Sequence, residues 1–144
     1  MGDGAKLLVV GIDGLRWDRV EAVGGSRLLS LRDRGVFAPS LIPLEYGAET
    51  VSGPGWSTIA TGVWPAKHGV QDNEFDGKRY DRYPDFLTRI TRAGLSTLAV
   101  VDWPPLAQEG VFSAELGQLI VGDGEVHGYL VEDRRLTTDA VRAL

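Results

Sequence analysis

Apolar runs and short amphipathic stretches alternate along this chain. Residues 6–12, KLLVVGI, form a continuous apolar run rich in β-branched side chains. That pattern predicts a strand buried on both faces, as in a parallel sheet, ended by Asp13-Gly14. Residues 16–23 predict one or two helical turns before Gly24-Gly25. Ser26 then caps a helix to Arg34, with Leu28, Leu29 and Leu31 turned inward and Gly35 as its stop. Residues 36–44 are extended but interrupted by Pro39 and Pro43, so a short strand should give way to irregular chain. After Ser52 and the Gly53-Pro54-Gly55 turn, residues 56–61 predict a short helix closed by Gly62.

A loop without clear period follows, carrying Pro65, His68, Gly69 and Asn73, and residues 71–82 are polar enough for a surface loop. Pro84 opens a helix to Ala93 with Phe86, Leu87 and Ile90 on one face and Gly94 after it. Residues 95–101 read as the next buried strand, running into Asp102-Trp103-Pro104-Pro105. Residues 107–118 show no decisive period. Residues 119–121 predict a short strand, Gly122-Asp123-Gly124 a turn, and 132–144 a helix with Leu136, Ala140, Val141 and Leu144 on one face. That helix reaches Leu144 without Gly or cap, the pattern of a chain cut inside a larger domain. The order strand, helix, strand, helix predicts an α/β fold: a three-layer α/β/α sandwich with a mostly parallel sheet. Residues 1–144 are read as a single partial domain.

Composition narrows the function classes. A length of 144 residues with 43% hydrophobic and 24% charged side chains suits one soluble globular domain. The net charge of −5 provides no basic field for nucleic acid or an anionic membrane. No Cys is present, which excludes disulfides, thiolate metal sites and cysteine catalysis. The early apolar run is too short for a secretory leader, and no run approaches membrane-spanning length, so a cytoplasmic protein is expected. An uncovered sheet edge in a partial domain invites self-association.

Two residues stand where chemistry is expected. Asp13 follows the first predicted strand, and ligands of open α/β sheets lie beyond the carboxyl ends of strands. Ser52 stands at the start of a helix, where the positive end of the dipole suits an oxygen nucleophile and the anion it attacks. The plainer roles are a turn-capping Asp and a helix-capping Ser, the latter worth about 1 kcal/mol.

The combined string shifts that balance. Ser52-x-Pro54, Thr61-Gly62, Pro65-x-x-His68-Gly69 and Asn73 occur in the order and spacing of a known nucleophile segment. They resemble that of the alkaline phosphatase superfamily, in its phosphodiesterase and nucleotide pyrophosphatase branch. GIDGLRWD around Asp13 resembles the family's first metal-binding segment. The resemblance implies a metal-dependent phosphoric-ester hydrolase acting on small phosphate esters or nucleotides. It implies two divalent ions, Zn²⁺ by family habit, with Asp13 and Ser52 as ligands of one. Ser52 would attack phosphorus to give a seryl-phosphate, and Asn73 would donate its amide N–H to a non-bridging oxygen. His68-Gly69 would shape the loop that carries Asn73 rather than bind metal.

The resemblance extends over residues 6–101. The family's later ligands, in Asp-x-x-x-His, Asp-His-Gly and a further His, call for three His where this chain has two. Asp123-x-x-x-His127 fits the first pattern but follows Ser52 too soon and is read as chance. Sulfatases share the helix but carry Arg four residues on, where this chain has Trp56. A haloacid dehalogenase-like nucleophile at Asp13 would want a second Asp at Leu15. Trp56 and Trp64 suit stacking on a base, though packing is their commoner use. The second reading is a catalytically incompetent fragment or pseudo-enzyme serving as a scaffold.

Overall fold

The structure, a computed structural model, describes residues 6–42, 50–113 and 115–144. It divides between Leu41 and Ile42 into two compact units. No helix among the described residues is long and apolar enough to cross a membrane.

The first unit holds two short helices, α1 (Trp17–Ala22) and α2 (Ser26–Arg34). Gly24, at φ 62°, turns the chain between them. Gly25 lies against Val20, where a Cβ would stand 2.9 Å from the Val20 Cγ1 atom. The Arg32 guanidinium reaches Glu21 across the pair at 3.0 Å, and Trp17 donates its indole N–H to the same carboxylate at 3.1 Å. Trp17 also packs on Phe37, with ring centroids 4.8 Å apart. Asp18 pairs with Arg16 in the exposed first turn.

The second unit begins its regular structure with α3 (Ser52–Thr61) and α4 (Pro65–His68), followed by α5 (Phe86–Arg92). Then come β1 (Leu98–Val101), α6 (Pro105–Gln108), β2 (Gln118–Val121), α7 (Gly124–His127) and α8 (Tyr129–Ala143). β1 and β2 are parallel, with Leu98 opposite Gln118 and Val101 opposite Val121. A parallel pair needs a long crossover, supplied here by the chain through α6. Ala99, Val101, Leu106, Val111, Phe112 and Leu116 join Ala60 of α3 and Val70 and Phe75 of the following loop in one apolar core. The core therefore sits between the sheet and the inner face of α3.

The expected α/β character is present as this parallel pair with helices. The three-layer sandwich as a whole is not seen in the described residues. Residues 6–12, expected as a doubly buried strand, form none, and Leu7 and Val9 are 84% and 61% exposed. Such a strand needs ladder partners and a layer on each face, and the described part of the first unit contains no other strand. Residues 36–42 likewise form no strand, with Val36 and Leu41 almost fully exposed. Residues 43 and 44 lie outside the described residues.

The strand expected from residue 95 begins only at Leu98, because Leu95 belongs to the exit of α5. The Leu95 N–H bonds the Ile90 carbonyl at 3.2 Å and the Gly94 N–H bonds Thr91 at 2.9 Å, with Gly94 at φ 84°. That is a Schellman closure, which takes the residue after the glycine out of reach of the sheet. α8 begins earlier than expected, at Tyr129, and its apolar stripe is only half covered. Leu136 is buried, while Val141 and Leu144 are exposed.

The most concentrated polar anchor in this core is Asp85. It is buried, caps α5 by accepting the Thr88 N–H at 2.9 Å and hydroxyl at 2.6 Å, and takes the Ser113 N–H at 3.4 Å. Asp85→Ala removes the cap and leaves these buried donors unanswered. Urea unfolding is expected to show a loss of about 2 kcal/mol without a change of fold.

Candidate active site

Ser52 is the first residue of α3, and its predecessor Val51 occupies the N-cap position with extended φ −106° and ψ 145°. The helix thus starts earlier than the predicted residue 56, with Gly53 and Pro54 inside its first turn. Pro54 is tolerated there because first-turn N–H groups have no intrahelical partner. Val51 places no side-chain hydrogen bond on the helix end. Ser52 is therefore not the ordinary capping serine; it stands one residue further in, half-buried at the positive end of the helix.

The first turn also differs from an open anion cradle. Pro54 has no N–H to offer. The Gly53 N–H is directed at Asn73, whose Oδ1 accepts it at 2.7 Å. A backbone N–H can only donate, so the Asn73 carbonyl is the group facing Gly53. The Asn73 amide NH₂ is thereby held as a donor beside the residue that follows Ser52. The positive end of α3 polarises this amide through the hydrogen bond.

Gly53 makes that approach possible. A Cβ there would stand 2.4 Å from the Asp72 carbonyl oxygen and 3.0 Å from Asn73 Oδ1. The loop is fixed from its far side as well. Asp72 Oδ1 accepts the Glu74 N–H at 3.0 Å, and Phe75 turns back at φ 59° with its ring buried against Trp103, centroids 5.8 Å apart. A non-glycine residue in the left-handed region costs about 1–3 kcal/mol, and burial of the Phe75 ring offsets it.

His68 closes the base of the loop. It is fully buried at the end of α4, which Pro65 starts and Gly69 ends at φ 87°. Its Nδ1 accepts the Val70 N–H at 3.2 Å, which puts the ring proton on Nε2, 3.0 Å from Thr58 Oγ1 on α3. Both nitrogens are engaged, so His68 joins α3 to the loop and is not disposed to bind metal. Burial first, and the Arg79 charge second, lower its pKa to about 4. The residues that sequence reasoning missed are Ser57 and Tyr80, whose hydroxyls meet at 2.6 Å beneath α3. Two aromatics, Phe75 and Tyr80, inside the otherwise polar stretch 71–82 were the available signal.

Asp13 lies in the exposed Asp13-Gly14 turn ahead of α1, in the first unit. Ser52 and Asn73 belong to the second. Among the described residues no three His, Asp or Glu side chains group so as to hold a metal ion. Asp123 caps α7 by accepting the Val126 N–H at 3.1 Å. Asp102, at the end of β1, has one buried oxygen without a hydrogen-bond partner. Burial and then the nearby Asp133 and Glu132 carboxylates push its pKa upward.

Residues 7–113 match the family model described as type I phosphodiesterase / nucleotide pyrophosphatase. An uncharacterised pyrophosphatase/phosphodiesterase of Schizosaccharomyces pombe is 36% identical over 71 residues. That segment is 49% of this chain and 14% of the yeast protein, so the match spans a small part of that relative's length. No solved structure matches the chain.

Two expected outcomes test this geometry. Gly53→Ala should break the Asn73 contact and cost about 1–3 kcal/mol, seen as a lower urea midpoint and a shifted Asn73 side-chain amide resonance. The His68 effect follows from linkage. An unfolded His titrates near 6.5 and the folded one near 4, so the unfolded chain binds the extra proton between these values. The His68 contribution should be intact above about pH 6.5 and fade as pH falls towards 4. Denaturant titrations across that range should show His68→Gln with a flatter pH dependence than the parent.

Proposed function

Because this chain belongs to the type I phosphodiesterase / nucleotide pyrophosphatase family, we propose that it carries the nucleophile of a phosphoric-ester hydrolase. Its substrates in this reading are small phosphate esters or nucleotides. The observation that carries the reading is Ser52 at the first position of α3, with Asn73 tied by a 2.7 Å bond to the next peptide.

In this mechanism the Ser52 Oγ attacks phosphorus in line with the leaving oxygen. The Oγ–P bond forms, the P–O bond to the leaving group breaks, and a seryl-phosphate results. Asn73 Nδ2 donates a hydrogen bond to a non-bridging oxygen, where charge builds during attack. Water then cleaves the seryl-phosphate, returning the Ser52 hydroxyl and releasing the phosphoryl product. A serine hydroxyl needs activation to attack. His68 is not the base, since its ring nitrogens are engaged and its proton affinity is low.

By family resemblance, a pair of divalent ions, Zn²⁺ in the first instance, would supply the activating charge, and Asp13 and Ser52 are the residues expected to be ligands. The described residues do not build such a centre by themselves. That same observation favours a second reading, in which this chain alone is a nucleophile-bearing part without turnover that serves as a scaffold.

The test is hydrolysis of bis-p-nitrophenyl phosphate with Zn²⁺, on the chain and on Ser52→Ala. Turnover that Ser52→Ala reduces by about a thousandfold or more supports the hydrolase reading. Turnover retained in a folded Ser52→Ala overturns it. No turnover together with no Zn²⁺ binding by calorimetry selects the second reading for this chain.

A further inference from the structure

We propose that Tyr80 is a positioning residue for the nucleophile, holding through Ser57 the carbonyl of Gly53, the residue that follows Ser52. The inference rests on the reading of Ser52 and Asn73 as the reacting pair, and goes beyond it by assigning what sets their spacing.

Proton counting gives the hydrogen bonds their direction. The Ser57 Oγ lies 2.6 Å from the Gly53 carbonyl oxygen and 2.6 Å from the Tyr80 hydroxyl. A carbonyl has no proton, so Ser57 donates its single hydroxyl proton to Gly53. The Tyr80 hydroxyl must then donate to Ser57. The result is a directed chain, Tyr80 O–H to Ser57 O–H to Gly53 C=O, in which each bond polarises the next.

Gly53 is therefore gripped at both ends. Its N–H goes to Asn73 Oδ1 at 2.7 Å and its C=O to Ser57. The Gly53 N–H lies in the same rigid plane as the Ser52 carbonyl. Fixing that plane fixes the backbone on the C-terminal side of Ser52, and with it the direction from which the hydroxyl is presented. Asn73 bonds Gly53 directly and Tyr80 acts on it through Ser57 of α3, both from the same loop, which is closed at its base where the Arg79 N–H bonds the His68 carbonyl at 2.9 Å. The spacing between nucleophile and amide donor is thus set by one glycine held by Asn73 on one side and by Ser57, backed by Tyr80, on the other.

Ser57 is fully buried, and Tyr80 is half-buried against the core, with its pKa raised to about 12 chiefly by burial. The phenol accordingly keeps its proton through the neutral range and can serve as the permanent head of the chain. Its ring packs and its hydroxyl orients, and the two roles separate in Tyr80→Phe.

The experiment compares the parent, Tyr80→Phe, Ser57→Ala and the double variant, with Ser52→Ala as reference. Two readouts are taken: exchange of the Gly53 amide by NMR, and kcat and KM on bis-p-nitrophenyl phosphate. Tyr80→Phe should speed Gly53 exchange about tenfold while the β1 amides keep their rates. It should lower kcat about fivefold with KM within about twofold. The double variant should resemble Ser57→Ala alone, since Tyr80 acts through Ser57.

Unchanged Gly53 exchange in a folded Tyr80→Phe overturns the proposal, as does an acceleration shared by all amides, which would mean general loosening. The exchange readout requires no turnover, so it decides the role of Tyr80 on any preparation. Turnover surviving in Ser52→Ala would instead remove the hydrolase reading, and the exchange rates would still decide whether Tyr80 holds the Gly53 peptide.

Discussion

A single hydrogen bond, from the Gly53 N–H to Asn73 Oδ1, is the contact on which the candidate site depends. It joins the first turn of a helix to a loop twenty residues further along the chain. Every other device near it serves the same closure. Gly53 lacks the side chain that would strike the Asp72 carbonyl, and Gly69 lacks the one that would strike Gly77. His68 links Thr58 on the helix to Val70 in the loop. Phe75 accepts an uncommon backbone conformation so that its ring can enter the core. A loop this polar would otherwise be loosely held, because few apolar contacts order it.

What the sequence makes legible depends on what each signal measures. Motif spacing places Ser52, His68 and Asn73 on one segment, and the structure brings that segment together around Gly53. The pattern does not reveal Gly53 as the meeting point, since glycine before proline reads equally as a turn. Propensity starts the helix at Trp56 because Gly and Pro are poor helix formers; at the first turn the penalty does not apply, and α3 starts at Ser52. α4 escapes a reading by period through its brevity, although Pro65 at its start and Gly69 at its end are the usual punctuation.

The sheet is the least legible part. Apolar runs report a tendency to be buried, and a strand also needs partners for its backbone. The run 98–101 has one in 118–121 and forms a strand, whereas 6–12, with a stronger apolar signal, forms none in the described residues. Leu95 suits a strand by its type, and the geometry of the preceding helix exit claims it instead. Hydropathy cannot see either effect, since both are satisfied or denied by peptide groups.

The division of labour inside Asn73 has a consequence for how such a protein ages. Its oxygen holds the loop, and its nitrogen is the donor assigned to a phosphoryl oxygen in the proposed reaction. Deamidation to aspartate would exchange that NH₂ for a second oxygen and leave the first in place to accept the Gly53 N–H. The altered molecule would keep the loop-closing hydrogen bond while presenting negative charge to an anionic substrate. Chemical damage at this one side chain would escape any surveillance that recognises unfolding.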